Sequence, residues 1–243
     1  MIHKVFPSLN DFENLSRLKV ETNEMANTFD YRNVVVNKPW GYEYLWFQNE
    51  QVAIWFLYIK KDNGTSLHCH AKKRTSLIVL EGEVQCTTLD DKYRLETMEG
   101  IVLEPCVFHS SKALSENGAF IMEIETPPMK GDLVRMNDSY GRQGTGYETT
   151  SEYSTDFSQY EFIPFEKNNP AHWNFRSLQI CYSKEKPEID TNTKMIVPIS
   201  GFAKSNSEII IECGEAVEQF SSLDLNSICD PRYRFLIFKQ PNS

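Results

Sequence analysis

The chain contains five histidines, and three of them, His68, His70 and His109, fall within one strand-rich stretch. Residues two apart in a strand point to the same face, so His68 and His70 can present both imidazoles to one point. Cys69 between them alternates to the opposite face, into sheet packing. A third imidazole from another strand completes a metal site. His109 follows Gly100-Ile-Val-Leu-Glu-Pro105, a turn, short strand and proline stop that can place it opposite the pair. Three neutral imidazoles leave an open coordination position for a divalent ion. Zinc, the first expectation, or iron, manganese or nickel could there polarise an oxygen or activate water, and iron could bind dioxygen. The plain alternative is a solvated HxH pair with a hydrogen-bonded core histidine. The grouping of all three in one strand-rich region favours the metal.

The elements that must hold these side chains are short strands. Runs rich in Val, Ile, Tyr, Phe and Trp cover 33–36, 41–47, 52–60, 75–80, 83–88, 93–96, 101–103 and 119–125. Turn signals at Lys61-Asp-Asn-Gly64, Glu81-Gly82, Asp90-Asp91 and Glu116-Asn-Gly118 separate them. Evenly spaced strands without intervening helices predict an all-β sandwich or barrel. Ahead of them, Leu9, Phe12, Leu15 and Leu18 recur at helical spacing, and Ser8 with Asp11 forms a capping signature, so a short amphipathic helix is expected in an N-terminal extension, residues 1–32. Residues 138–146 and the Ser/Thr/Glu-rich 147–158 read as a linker, beyond which sheet-like runs resume at 178–182, 194–203, 207–213, 216–223 and 234–239. The two regions echo each other in order: 76–82 resembles 194–201, 95–102 resembles 210–217, and 120–123 resembles 235–238. A second, shorter and degenerate copy over 147–243 is therefore expected after a first domain at 33–146.

Length and composition agree with a soluble globular protein: 243 residues, 40% hydrophobic, 24% charged and a formal charge of −9. An acidic balance gives no footprint for nucleic acid or anionic membrane. No apolar run approaches the roughly 20 residues of a membrane span, and residues 1–10 contain no secretory core, so a cytoplasmic location is expected. Six cysteines without a CxxC pair read as reduced thiols rather than a disulfide framework.

The segment Gly64-Thr-Ser-Leu-His68-Cys-His70, followed by Val79-Leu-Glu-Gly82 and then Gly100 through Pro105 to His109, resembles the two motifs of the cupin superfamily. Within it, Lys38-Pro-Trp-Gly-Tyr42, Asp132-Leu-Val-Arg135 and Asp138-Ser-Tyr-Gly-Arg142 resemble the opening and closing segments of the type II mannose-6-phosphate isomerase and mannose-1-phosphate guanylyltransferase module. The resemblance covers roughly residues 33–142. It implies a jelly-roll barrel, hence a bicupin with one degenerate half, and metal ligation by His68, His70 and His109. It also implies pairing through sheet faces, either in a homodimer or between two fused copies. The family's ligand glutamate falls at Thr75, a poor ligand, and the glycine of its second motif falls at Val107.

What the resemblance implies chemically is a metal-dependent isomerase or epimerase acting on a phosphorylated or nucleotide-linked sugar in surface-polysaccharide or nucleotide-sugar metabolism. Arg135 and Arg142 would lie near the mouth and could fork onto a phosphate, with surface ion pairs as the alternative. Lys73, in the basic run Lys72-Lys-Arg74, and Trp40 are further candidates for holding the substrate. Arg135 and Glu123 are the candidate catalytic residues; Glu81 and Glu104 are alternative bases. Two other readings stay open: a three-histidine iron dioxygenase, and a non-catalytic sugar- or nucleotide-binding module.

Overall fold

The computed structural model describes residues 1–18, 24–137, 152–165, 171–184, 189–201, 203–205, 208–218 and 233–240. Arg142 and most of the stretch read as a linker lie outside them. The strands and helices in chain order are β1 (Ile2–Val5), α1 (Leu9–Arg17), α2 (Glu24–Thr28), β2 (Val35–Lys38), β3 (Gly41–Gln48), β4 (Ala53–Ile59), β5 (Leu67–Cys69), β6 (Arg74–Glu81) and β7 (Glu83–Thr88). They continue with β8 (Lys92–Glu96), β9 (Gly100–Leu103), β10 (His109–Ala113), β11 (Ala119–Thr126), β12 (Val134–Asn137) and β13 (Tyr153–Ser154). The last are β14 (Ala171–Phe175), β15 (Leu178–Ser183), β16 (Thr193–Ser200), β17 (Ala203–Ser205), β18 (Glu208–Ile211) and β19 (Arg234–Lys239).

The first region is a two-sheet jelly roll. One sheet runs β1-β9-β6-β11-β4-β3-β2-β13 and the other β12-β5-β10-β7-β8, so the chain crosses between sheets from β4 to β5, β5 to β6, β6 to β7, β8 to β9, β9 to β10, β10 to β11, β11 to β12 and β12 to β13. Strand alternation divides the large sheet cleanly. Trp55, Leu57, Leu77, Val79 and Ile121 face the barrel interior, while Tyr44, Phe56, Ile78, Met122 and Ile124 face away from it into a separate apolar cluster.

That outer face is covered by the second region. Its four-stranded sheet, β14-β15-β19-β16, repeats the order β3-β4-β11-β6. The registers match as well: Leu45, Trp55, Glu123 and Leu77 lie abreast in the first sheet, and His172, Cys181, Ile237 and Ile196 in the second. Ile101 pairs with Leu77 as Val217 pairs with Ile196. The turn before each is built alike, with the Glu96 amide on the Glu99 carboxylate at 3.0 Å and the Glu212 amide on that of Glu215 at 3.2 Å. Two of the three echoes read in the sequence are displaced by one residue in this alignment. Tyr44, Phe56, Ile78 and Met122 of the first sheet and their counterparts Ala171, Tyr182, Val197 and Leu236 share one buried cluster, so equivalent faces meet.

Two expectations change. The described part of the expected linker, residues 152–158, is not a free connection: Tyr153 pairs with Val36, and Phe157, with Tyr160, Phe162 and Phe165 after it, packs against the shared cluster, because four aromatic rings in so short a stretch have apolar surface to bury. The helix α1 forms with the Ser8/Asp11 capping box, but Leu9 and Phe12 are exposed, and Leu15 and Leu18 alone pack, beside Cys69, Phe108 and Val134. The cap residue Asp11 is itself buried, for a reason that belongs to the site.

Candidate metal centre

His68 lies on β5, His70 follows that strand, and His109 opens β10 directly across from His68. The ring centroids are 5.0 Å apart for His68 and His70, 4.5 Å for His68 and His109, and 5.4 Å for His70 and His109. One ligating nitrogen from each lies within 4.8 Å of the others. Each Nδ1 faces a backbone carbonyl: Ser66 at 2.7 Å for His68, Asp132 at 2.6 Å for His70 and Val107 at 3.0 Å for His109. A carbonyl oxygen only accepts, so each Nδ1 carries the proton and each Nε2 lone pair is left for a metal. His70 Nε2 is buried with no hydrogen-bond partner. Burial is the leading cause that lowers the proton affinity of all three rings, taking His109 to about 4, so they are neutral ligands at physiological pH. The donor set fits a first-row divalent ion with open positions.

Two buried aspartates hold the ligand-bearing backbone. Asp132 accepts the amides of Ala71 at 3.2 Å, Lys72 at 2.8 Å and Lys73 at 3.1 Å, while its own carbonyl orients His70. Asp11 caps α1 with one oxygen and with the other accepts the Phe108 amide at 2.9 Å, one residue before His109. Asp11→Ala removes a cap and strands a buried amide, so it should cost about 1–3 kcal/mol, read as a lowered urea midpoint. An unchanged midpoint would deny Asp11 this role.

His68 and His70 line a cavity of about 450 Å³, its mouth included, together with Trp40, Glu43, Glu123, Glu125, Lys130 and Arg135. Arg135 lies opposite His68 across the β12–β5 pair. Glu123 and Glu125 alternate on β11 and both face inward; Glu81 and Glu104 do not join them, pairing instead with Arg176 at 3.0 Å and Arg74 at 3.0 Å. Burial raises the Glu123 carboxyl to about 7, the neighbouring Glu125 charge pushes the same way, and Lys130 and Lys73 pull against them. Glu43 is the reverse case. Burial would raise it, but Lys130 at 2.7 Å and Lys38 at 3.2 Å hold it at about 2.

Thr75 is buried on β6 across from Glu125, its hydroxyl without a hydrogen-bond partner, and contributes no charge. Among the described residues, the three histidines are the group that could hold a metal ion. Lys73 points inward: its ammonium lies 2.6 Å from Glu125, and the two side chains are 1% and 2% exposed. Trp40 precedes β3, so it escapes the parity that sends Tyr42, Tyr44 and Trp46 to the outer cluster, and it lines the cavity. Sequence reasoning missed Glu43, Lys38 and Lys130 as cavity groups. Glu43, a lone charge in the aromatic run Gly41-Tyr-Glu-Tyr-Leu-Trp-Phe47, carried a signal that could have found it. In the second sheet Ile237 and Lys239 lie at the register positions that Glu123 and Glu125 hold in the first. No helix among the described residues is long and apolar enough to cross a membrane.

No protein-family model matches the chain. No curated protein matches it either. Among solved structures, it is similar to KdgF from Halomonas sp., at 14% identity and a TM-score of 0.36 over 37% of this chain and 82% of that one. An RmlC-like cupin from Shewanella frigidimarina gives 16% identity and a TM-score of 0.36 over 41% and 88%. A putative sugar phosphate isomerase from Acidithiobacillus ferrooxidans gives 18% identity and a TM-score of 0.30 over 31% of this chain and 50% of that one.

Proposed function

We propose that the chain is a metal-dependent isomerase or epimerase of a phosphorylated or nucleotide-linked sugar. The observation that carries this reading is a cavity lined by Glu123, whose carboxyl is raised by burial to about 7, and by His68 and His70, two members of the three-imidazole cluster. When bound, the metal supplies a positive charge that polarises a carbonyl or hydroxyl oxygen. Glu123 takes the proton from the adjacent carbon and returns it, a task for which a proton affinity near the working pH is best. Arg135 holds the phosphate in a forked contact, and Trp40 supplies an apolar wall. Lys73 acts on the site through Glu125.

The assay uses metal-loaded protein with mannose 6-phosphate, related sugar phosphates and nucleotide sugars. Because the base form of Glu123 exists above about 7, kcat/KM should rise with pH through that region. Glu123→Gln should remove this limb and lower kcat about a hundredfold. No turnover across the panel defeats the reading.

The domain assignment, 33–146 for the metal-binding unit and 147–243 for a degenerate copy, is part of this proposal, supported by the matched registers of the two sheets. One observation favours a second reading. With Thr75 in the acidic position the ligand set is wholly neutral, as an iron dioxygenase with three histidines requires. Oxygen uptake by the ferrous protein with thiols and diketones tests it.

A further inference from the structure

Two carboxylates are buried behind the histidine cluster, Asp11 at 3% exposure and Asp132 at 1%. Each of their hydrogen bonds comes from an uncharged donor. Asp132 accepts the amide of Ala71 on Oδ1 and those of Lys72 and Lys73 on Oδ2. Asp11 accepts the Phe108 amide on Oδ1, and the amide and hydroxyl of Ser8 on Oδ2. Both oxygens of each group are acceptors, the arrangement of a carboxylate rather than of a protonated acid, which must also donate. The other buried carboxylates have cations beside them: Lys73 for Glu125, and Lys38 with Lys130 for Glu43. Among the described residues no lysine or arginine forms an ion pair with Asp11 or Asp132.

A buried charge with no counter-charge is unfavourable, and both of these lie one step from a ligand. The carbonyl of Asp132 is itself the group 2.6 Å from Nδ1 of His70, and the amide that Asp11 holds belongs to the residue before His109. The Asp11 charge reaches the His109 ring, where it favours positive charge against the effect of burial. Three neutral imidazoles bring no negative charge of their own to a divalent ion. Two carboxylates behind them bring two, in an interior where charges are weakly screened. We propose that Asp11 and Asp132 are the counter-charges of the metal centre: without touching the ion, they balance its charge and set how tightly the three histidines hold it. The assignment concerns the ion alone, so it goes beyond the reaction proposed above and does not depend on the substrate.

The test is the zinc affinity of the folded protein, by competition with a chromophoric chelator, in the wild type, Asp132→Asn, Asp11→Asn and the double variant. Each change keeps the size of the side chain and removes one charge, so affinity should fall about tenfold for either and about a hundredfold for both. Urea midpoints of the zinc-free proteins record any loss of stability separately. Cobalt(II) absorption reports ligand geometry, and an unchanged band beside weakened binding is the expected result. Wild-type zinc affinity in the folded variants, whatever their midpoints, overturns the assignment and leaves both aspartates as scaffolding only. A lost or shifted cobalt band overturns it too, since the ligands would then have been displaced. Asp132 serves three amides, and should its variant fail to fold, Asp11→Asn carries the test, because one oxygen suffices for the Phe108 amide. No zinc in the wild-type protein defeats the metal reading itself, a result distinct from any of these.

Discussion

Lys73→Met should cost about 3–5 kcal/mol of folding stability, because it leaves Glu125 a buried carboxylate with no counter-charge. The Lys73 ammonium and the Glu125 carboxylate are 2.6 Å apart and almost fully enclosed, and the second Glu125 oxygen already lacks a protein partner. Removing the cation therefore strips away the ion pair that offsets the carboxylate's desolvation, next to Glu123 on the same strand face. The double variant Lys73→Met with Glu125→Gln should recover much of the loss, since a neutral amide needs no ion to accompany it. Urea unfolding of the four proteins in the cycle measures this coupling. Additive losses, or a single-variant cost below about 1 kcal/mol, would mean that the pair is solvated in solution.

The second large effect concerns the metal. His70→Ala should reduce bound metal from about one ion per chain to nearly none, by elemental analysis after gentle purification and reloading. Loss of a group that merely orients a ligand costs about 10- to 100-fold in metal affinity, so loss of the ligand itself should cost more than about a hundredfold. Cys69→Ala is the matched control. Its side chain packs against Phe108 and Val134 on the other face of β5, and it should keep its metal. Equal metal content in both variants would remove the histidines from the ligand set. Iron in the wild-type protein would direct attention to oxygen chemistry, and zinc to isomerisation.

Much of this site could be read from the residues, for a physical reason. His68 and His70 obey strand parity, Ser8 and Asp11 obey the spacing of a capping box, and apolar alternation marks the large sheet from β3 to β11. The small sheet was harder. Strands β5 (Leu-His-Cys) and β10 (His-Ser-Ser-Lys-Ala) are short, and inward positions that elsewhere carry Val or Ile carry ligands, so the pattern that announces a strand is spent on chemistry. Partners distant along the chain left no trace at all. Lys130 meets Glu43 across 87 positions, and Asp11 reaches the Phe108 amide across 97, contacts set by tertiary packing alone. The polar 147–158 reads as a connection because Ser, Thr and Glu dominate it, although Tyr153 and Phe157 within it, and Tyr160, Phe162 and Phe165 beyond it, attach its described part to the sheet.

The meeting of equivalent faces has a consequence for how the molecule behaves on dilution. When such faces belong to separate chains, their association is bimolecular and weakens as protein concentration falls. Here both are carried on one polypeptide, so the pairing that covers Tyr44, Phe56 and Met122 is intramolecular, with an effective concentration set by the connection rather than by the amount of protein. Strand β11 alternates between the two duties: Glu123 and Glu125 face the cavity, while Met122 and Ile124 face the partner sheet. The second sheet, which carries Ile237 and Lys239 where the first carries Glu123 and Glu125, thus keeps strand β11 covered at any dilution.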